Sequence, residues 1–285
     1  MRLARIKKYW PLLPALAFLI FFFLLPLSTL VRYSLNRHEM MGVMKPALTL
    51  ENYAKFFTHP IYLKILANTL YMGVVVTFAD FLLGYPIAYV FVRSRGVVKT
   101  LLMVLIVSPL LISAVVRSLG WVLILGDTGP LNNFLLGLGL ISEPIRLMGT
   151  LSGVIVALIH VHLPFMVLSL ASALQNIDPF LEKAARNLGA SKAQAFFLIT
   201  LPLSKPGILA GTLLVFTITI GTYATPFLVG GMGLKILSLS VYEYFSTIVN
   251  WPFGSTMAFV LLVISFVMIA LFNKMISSAR EKIVA

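Results

Sequence analysis

The stretch Glu182–Pro202, EKAARNLGASKAQAFFLITLP, lies between two strongly apolar runs and decides how the rest of the chain is read. It mixes charges with small residues where its neighbours carry no Asp, Glu, Lys or Arg. Asp178 followed by Pro179 has the form of a helix start: a side-chain acceptor for the first free amides, then a proline whose missing N–H costs nothing at the first helical position. Phe180, Leu181, Ala184, Ala185 and Leu188 then fall on one side of a short helix. Gly189 suits the left-handed conformation that ends it. Ser191 and Gln194 have the spacing of a capping box, which starts a second short helix with Ala193, Phe196, Phe197, Thr200 and Leu201 on a shared face. Pro202 and Pro206 mark the exit. Helix–helix links usually take about 2–8 residues. A far longer elbow, capped at both helices and carrying Ala184, Ala185, Gly189 and Ala190, is expected to be a docking element. One of its faces should rest on the protein's own helices and the other should meet the cytoplasm.

The composition outside the elbow sets the class. Of 285 residues 60% are hydrophobic and 11% charged, with a mean hydropathy of +1.00. A soluble domain carries roughly 25% charged residues. Six apolar runs are long enough to cross hydrocarbon, which takes about 20 helical residues. They are residues 10–31, 66–91, 100–125, 151–174, 206–229 and 253–272. Isolated strands cannot satisfy their backbone in lipid. The predicted fold is therefore an all-α membrane protein with six transmembrane helices, and an elbow over 178–205. The first run is too long for a signal-peptide core, and no small-residue cleavage site follows it, so it reads as a retained anchor.

Orientation follows from Lys and Arg. Fourteen precede the first run, follow the last, or lie between runs two and three and runs four and five. Seven lie in the other loops, and Arg117 lies inside the third run. Residues 1–9, residues 277–285 and the elbow are thus predicted to be cytoplasmic. The net charge of +13 does not point to nucleic acid, because the basic residues flank apolar runs, where lipid headgroups attract them. In the first outer loop LTLENYAKFFTHP places Leu50, Tyr53, Phe56 and Phe57 at near-helical spacing. This reads as a short helix in the headgroup layer, or as a platform for an external partner. Trp10, Trp121 and Trp251 fall near span ends, as interface anchors do.

Several chemistries are excluded. With no cysteine there is neither a disulfide framework nor a thiolate metal site. His160 and His162 point to different faces of a helix, so no shared metal is expected, and no metal site is assigned. No P-loop, HExxH or GxSxG motif occurs, so no catalytic residue is assigned and the chain is not expected to be an enzyme.

The elbow resembles the EAA loop of binding-protein-dependent ABC-importer permeases, whose pattern is E-A-A, three residues, G, nine residues, I-x-L-P. Ala184, Ala185, Gly189, Ile199, Leu201 and Pro202 match in register. The departure is Lys183 at the first position, with Glu182 one place earlier and about 100° around the helix. Stretches such as LLGYPIAYVFVRS, SPLLISAVVRSLGWVLILGDTGPLN and HLPFMVLSLASALQNIDPFLEKAARNLGAS resemble the B-type permease subunits of spermidine/putrescine importers. The resemblance implies the type I importer fold, a second permease subunit, a cytoplasmic ABC ATPase dimer that binds ATP and magnesium, and a periplasmic or extracellular solute-binding protein. It implies no cofactor in this chain. It further implies that Glu182, Lys183, Ala184, Ala185, Gly189 and Ala190 meet the ATPase, and that polyamine is the cargo. Related permeases for other organic cations, opines, phosphonates or ferric iron are the alternative. An ATPase-independent secondary transporter is a second one, disfavoured because no internal repeat is visible.

Intramembrane polar residues are the remaining signal. Asp80 and Arg117 lie within spans, where charges usually pair or face a cavity. Snorkelling of Arg117 competes with a place on the path. Thr222 and Tyr223 in the fifth span, with Glu243, are further path candidates. A hydroxyl that bonds its own helix backbone is the alternative for the threonines. Pro226 and the GGMG run over 230–233 predict a broken helix end near an outer gate.

Overall fold

In hydrocarbon a backbone amide has no partner but another backbone group, and this chain answers with helix over most of its length. The computed structural model describes residues 12–39 and 43–284. The helices are α1 Leu13–Ser34, α2 Glu51–Thr58, α3 Pro60–Arg93, α4 Gly96–Leu111, α5 Ala114–Leu125, α6 Pro130–Gly137 and α7 Leu151–Gln175. They continue with α8 Pro179–Asn187, α9 Lys192–Ala195, α10 Leu201–Leu203, α11 Lys205–Gly221, α12 Leu237–Ser246 and α13 Trp251–Val284. Five-residue π-helical turns occupy Phe196–Thr200 and Pro226–Gly230. A two-residue hairpin pairs Arg37–His38 (β1) with Met44–Lys45 (β2). Four described helices are long and apolar enough to cross a membrane, and six spans result if each of two bent pairs counts as one.

The chain forms two compact units, one made of residues up to Leu63 with Ser240–Leu262, the other of Lys64–Leu239 with Val263 onward. In the first, α2 does not simply lie in a headgroup layer. Its Tyr53 hydroxyl bonds the Ser34 hydroxyl at 2.7 Å, and Asn52 donates to the carbonyls of Ser34 and Asn36, each at 2.9 Å. Phe56 is fully buried and stacks on Tyr62, which packs on Phe253. Only Leu50 and Phe57 of the expected apolar face remain exposed.

The second unit is built on α7. Thirteen of its residues are buried, among them Leu158, Met166 and Leu170. Its main partner is α11, and two glycines bring the helices together. A Cβ on Gly207 would overlap Ala173 and the Ser169 carbonyl, and one on Gly211 would strike Met166. The buried stripe of α3 runs Met72, Val76, Thr77, Asp80, Tyr85, Ala88, the i, i+3, i+4 spacing of one helix face.

Two expected spans are not straight. The third is broken at Ile112–Ser113, where α4 ends and the chain turns by 100°. The fifth stops at Gly221, because Thr222 takes an extended conformation (ψ 139°), and Pro226–Gly230 follows as a separate turn. The sixth run extends to Val284, and the first begins in residues outside those described. The basic residues before Trp10, and Trp10 itself, also lie outside them.

Gly207→Val is expected to lower the thermal midpoint of the purified protein by the equivalent of about 1–3 kcal/mol, the usual cost of overpacking. Gly120→Ala, with open space around the added methyl, should leave it in place. Differential scanning fluorimetry in detergent reads both.

Candidate functional site

Two regions gather the chemistry: the elbow, and a belt in the second unit where several helices break together.

The elbow forms as its caps dictate. Asp178 Oδ1 accepts from the Phe180 amide at 2.8 Å and opens α8. Gly189, at φ +95°, reverses the chain. Ser191 Oγ accepts from the Gln194 amide at 3.2 Å while the Ser191 amide donates to Gln194 Oε1 at 2.8 Å, a closed capping box. The chain then passes through the π-helical turn and bends by 63° into α11. The apolar side of α8 does not rest on the protein's own helices as expected. Phe180 is 70% and Leu188 89% exposed. Lys183, Ala184 and Gly189 are exposed and Ala185 and Ala190 half-buried, so these small residues reach the surface. Lys183 lies 5.0 Å from the centre of the Phe180 ring. Beside it Lys183, Arg186 and Lys192, with Asn187, Ala190 and Ser191, line an open depression of about 460 Å³.

Glu182 departs from the docking group in which the sequence places it. It turns inward, its side chain 15% exposed. One carboxylate oxygen accepts from Arg93 Nη2 at 2.5 Å and from the Thr200 hydroxyl; the other accepts from the Tyr89 hydroxyl at 3.3 Å. The Arg93 guanidinium stacks over Tyr89 at 5.2 Å, and Phe196 meets both Tyr85 and Tyr89 edge-on. The π-helical turn is the local cause. Its extra residue rotates the chain so that Phe196 faces the tyrosines while the buried Thr200 faces Glu182.

In the belt, the ends of α4 and of α11 and the proline in α7 leave backbone groups to be satisfied at one level. Ser113 caps α5 by accepting from the Val115 amide. Arg117 Nη1 donates to the Val161 carbonyl at 3.1 Å, in the turn that Pro164 disturbs. The guanidinium thus engages α7 through Nη1, while Nε has no partner among the described residues. Ser118 bonds Thr225 at 2.8 Å, tying α5 to the broken end of span five. Trp121 Nε1 donates to His160 Nδ1 at 3.1 Å, so the His160 proton sits on Nε2. Thr219 already donates to the Val215 carbonyl, so it accepts from His162 Nδ1 at 2.9 Å. The two histidines are therefore opposite tautomers on opposite faces of α7, one exposed and one buried.

The path candidates separate. Arg117, Thr222 and Tyr223 belong to the belt, with Tyr223 stacked on Phe227 at 5.2 Å. Asp80 does not line an open path: it is fully buried within the stripe of α3, and neither oxygen has a hydrogen-bond partner among the described residues. Glu243 lies on α12, in the first unit. The sequence reading missed Trp121, His160, His162, Ser118 and Arg93 as site members. The available signals were Pro109 and Pro164 inside spans and a lone arginine closing α3. Their partners are remote in sequence.

A multi-span helical protein with a capped foot between its fourth and fifth spans is the architecture of an importer permease. Residues 10–280 match the family of binding-protein-dependent transport system inner membrane components, and the chain belongs to it. It is 35% identical over 254 residues to the spermidine/putrescine transport system permease protein PotB of Escherichia coli (strain K12), covering 89% of this chain and 92% of that one. The PotB protein of Haemophilus influenzae is 34% identical over 268 residues, covering 93% of each. A chain of a bacterial alginate ABC transporter, crystallised with alginate pentasaccharide-bound periplasmic protein, superposes with a TM-score of 0.71 at 18% identity, covering 95% of this chain and 96% of that chain. A chain of the MetNI methionine ABC transporter gives 0.59 at 20% identity, with 76% and 95% covered. The protein is a type I ABC-importer permease subunit of the inner membrane, a transport component rather than an enzyme.

Arg117→Met is expected to destabilise the protein by about 1.5–3 kcal/mol, the range for a hydrogen bond to a charged group. An unchanged thermal midpoint would mean the side chain only snorkels. Gly189→Val is expected to lower the thermal midpoint by the equivalent of about 1–3 kcal/mol although a Cβ there meets nothing within 4 Å, because the strain lies in the positive φ. Gly189→Asn, which tolerates that conformation, should retain it.

Proposed function

We propose that this chain is one half of a heterodimeric pore that brings spermidine or putrescine into the cell, driven by a separate ATPase dimer and fed by an external binding protein. The similarity to two PotB permeases over about nine-tenths of the chain is the observation that carries the cargo. ATP and magnesium act on the partner ATPase. Both termini and the elbow face the cytoplasm, in keeping with the excess of Lys and Arg there.

The ATPase docks on the exposed side of α8, over Phe180, Lys183, Ala184, Leu188 and Gly189, with Ala185 and Ala190 at the edge. Uncovered Phe180 and Leu188 supply apolar area, and the alanines and glycine let a second surface approach closely. The depression lined by Lys183, Arg186 and Lys192 favours an acidic counterpart on the ATPase. With Lys183 where the family pattern has glutamate, the sign of that contact is inverted.

The belt is the gate. Polar groups at membrane depth are tolerated where they meet water or protein, and Trp121, His160, Arg117, Thr222 and Tyr223 collect at the breaks in spans three and five. The pathway runs past these residues.

Uptake of labelled putrescine in cells lacking this chain and any other polyamine route tests the cargo. Uptake is expected to fall to background and to return when the gene is restored. Unchanged uptake rejects polyamine. A solute gradient formed by the purified chain alone, without an ATPase, rejects the whole assignment.

A further inference from the structure

We propose that α3 is a connecting rod: the Glu182–Arg93 pair locks the foot to one end, and Asn68 and Thr69 lock the outer loop to the other. The proposal rests on the reading above that an ATPase moves the foot.

The inner joint is strong for its position. Arg93 is the last residue of α3 and Glu182 stands in the first turn of α8. Each charge therefore complements the dipole of its own helix as well as its partner. The pair is only 28% and 15% exposed, so water screens it less than a surface ion pair. Thr200, Tyr89 and the Tyr89–Arg93 stack close the joint around it. A second contact one turn deeper, Tyr85 to Ser204 at 2.8 Å, ties α3 to the bend between foot and span five. The foot therefore has three routes into the membrane: covalently through α7 and α11, and through this joint into α3.

The outer joint uses backbone. Buried Thr69 accepts from the Leu237 amide at 2.8 Å while donating to Ile65, and Asn68 donates to the Lys235 carbonyl at 3.0 Å. These carbonyls and amides belong to the loop that follows the π-helical turn Pro226–Gly230 and the reversal at Gly231 (φ +68°). This is the broken end of span five, the part of the belt that Ser118 also holds. Between Thr69 and Arg93 lie 24 helical rises, roughly 36 Å at 1.5 Å each, which exceeds the hydrocarbon thickness of about 30 Å. The helix continues through Pro86, which costs it one backbone hydrogen bond, and the Tyr85–Ser204 contact braces it there. Held at both ends, it carries displacement along its axis instead of absorbing it. Glycines at two levels keep it seated: a Cβ on Gly73 would strike Ile220 and Phe216, and one on Gly84 would touch Met166. Glu182 is thus a positioning residue that acts through α3.

The test uses the whole importer in proteoliposomes, with its ATPase, second permease subunit and binding protein, and putrescine as the probe. The chain has no cysteine, so a spin label on Gly233→Cys reports on the outer loop alone, at a site where a Cβ meets nothing within 4 Å. In the native background ATP should change the label's mobility. Glu182→Gln is expected to abolish that response and to raise the ATP consumed per putrescine delivered by about tenfold, the scale of one lost charge-assisted hydrogen bond. Glu182→Arg with Arg93→Glu should recover both in large part. An unchanged label response, an unchanged ratio, or a swapped pair no better than the single variants overturns the proposal. If Glu182→Gln fails to assemble, Thr69→Val tests the other joint. It should silence the label with the ATPase still bound, and a full response there is equally fatal. Native complexes that hydrolyse ATP and move the label but carry no putrescine would reject the cargo and leave the rod intact.

Discussion

The constraint on which the structure depends is that backbone amides and carbonyls inside hydrocarbon must find partners within the protein. Unbroken helices meet it almost automatically, and α3 and α7 run for 34 and 25 residues with one interior proline each, Pro86 and Pro164. Where a helix stops at membrane depth, four amides or carbonyls are released at each end. Here the releases are not scattered. The end of α4, the proline of α7 and the end of α11 share partners: Arg117 serves the α7 turn, Ser118 joins α5 to Thr225, and Ser113 caps its own helix. Polar residues in the belt are thus first a consequence of broken helices. Breaks of this kind are costly in a membrane, and their clustering at one level is the ground on which the belt is proposed as the gate.

Three of the buried or half-buried charges in the second unit show how differently one environment is handled. Arg117 spends its charge on a carbonyl, a neutral acceptor. Glu182 meets a full countercharge and two hydroxyls at the edge of the bundle. Asp80 meets neither among the described residues. A buried polar group without a hydrogen-bond partner is costly, so Asp80 is the least well satisfied of the three. The charge that sequence position made most conspicuous is the least engaged, and the one counted only as a loop residue, Arg93, makes the central ion pair.

What could be read from the sequence was local. Asp178–Pro179, Gly189 and the Ser191–Gln194 box each act within four residues, and each forms as its chemistry requires. The six apolar runs were legible for the same reason, since crossing a bilayer needs only length and composition. The bends were not. Pro109 and Pro164 both sit inside apolar runs, yet α7 continues through Pro164 while the third span breaks just after Pro109, and the difference lies in what packs around each. The inward turn of Glu182 was hidden too. On an isolated helix it is an exposed charge, and only the remote Arg93, together with the phase shift of the π-helical turn, draws it inside.

Stiff and broken parts are distributed in a way that suits a machine driven from one end. The α7–α11 contact is close because Gly207 and Gly211 leave no slack, and a core packed to this density has discrete arrangements instead of a continuum. The foot is capped at both helices and pinned to α3, so a push on it is not lost in bending. Compliance is left to the belt, where the ends of α4 and α11 already interrupt the helices. Under the proposed function, a flexible foot would dissipate ATPase motion before it reached the membrane, and a belt of continuous helix would leave that motion nothing to open. The two features that look least helical, the elbow's π-helical turn and the ruptured outer half of span five, are therefore complementary: one fixes the input and the other provides the output.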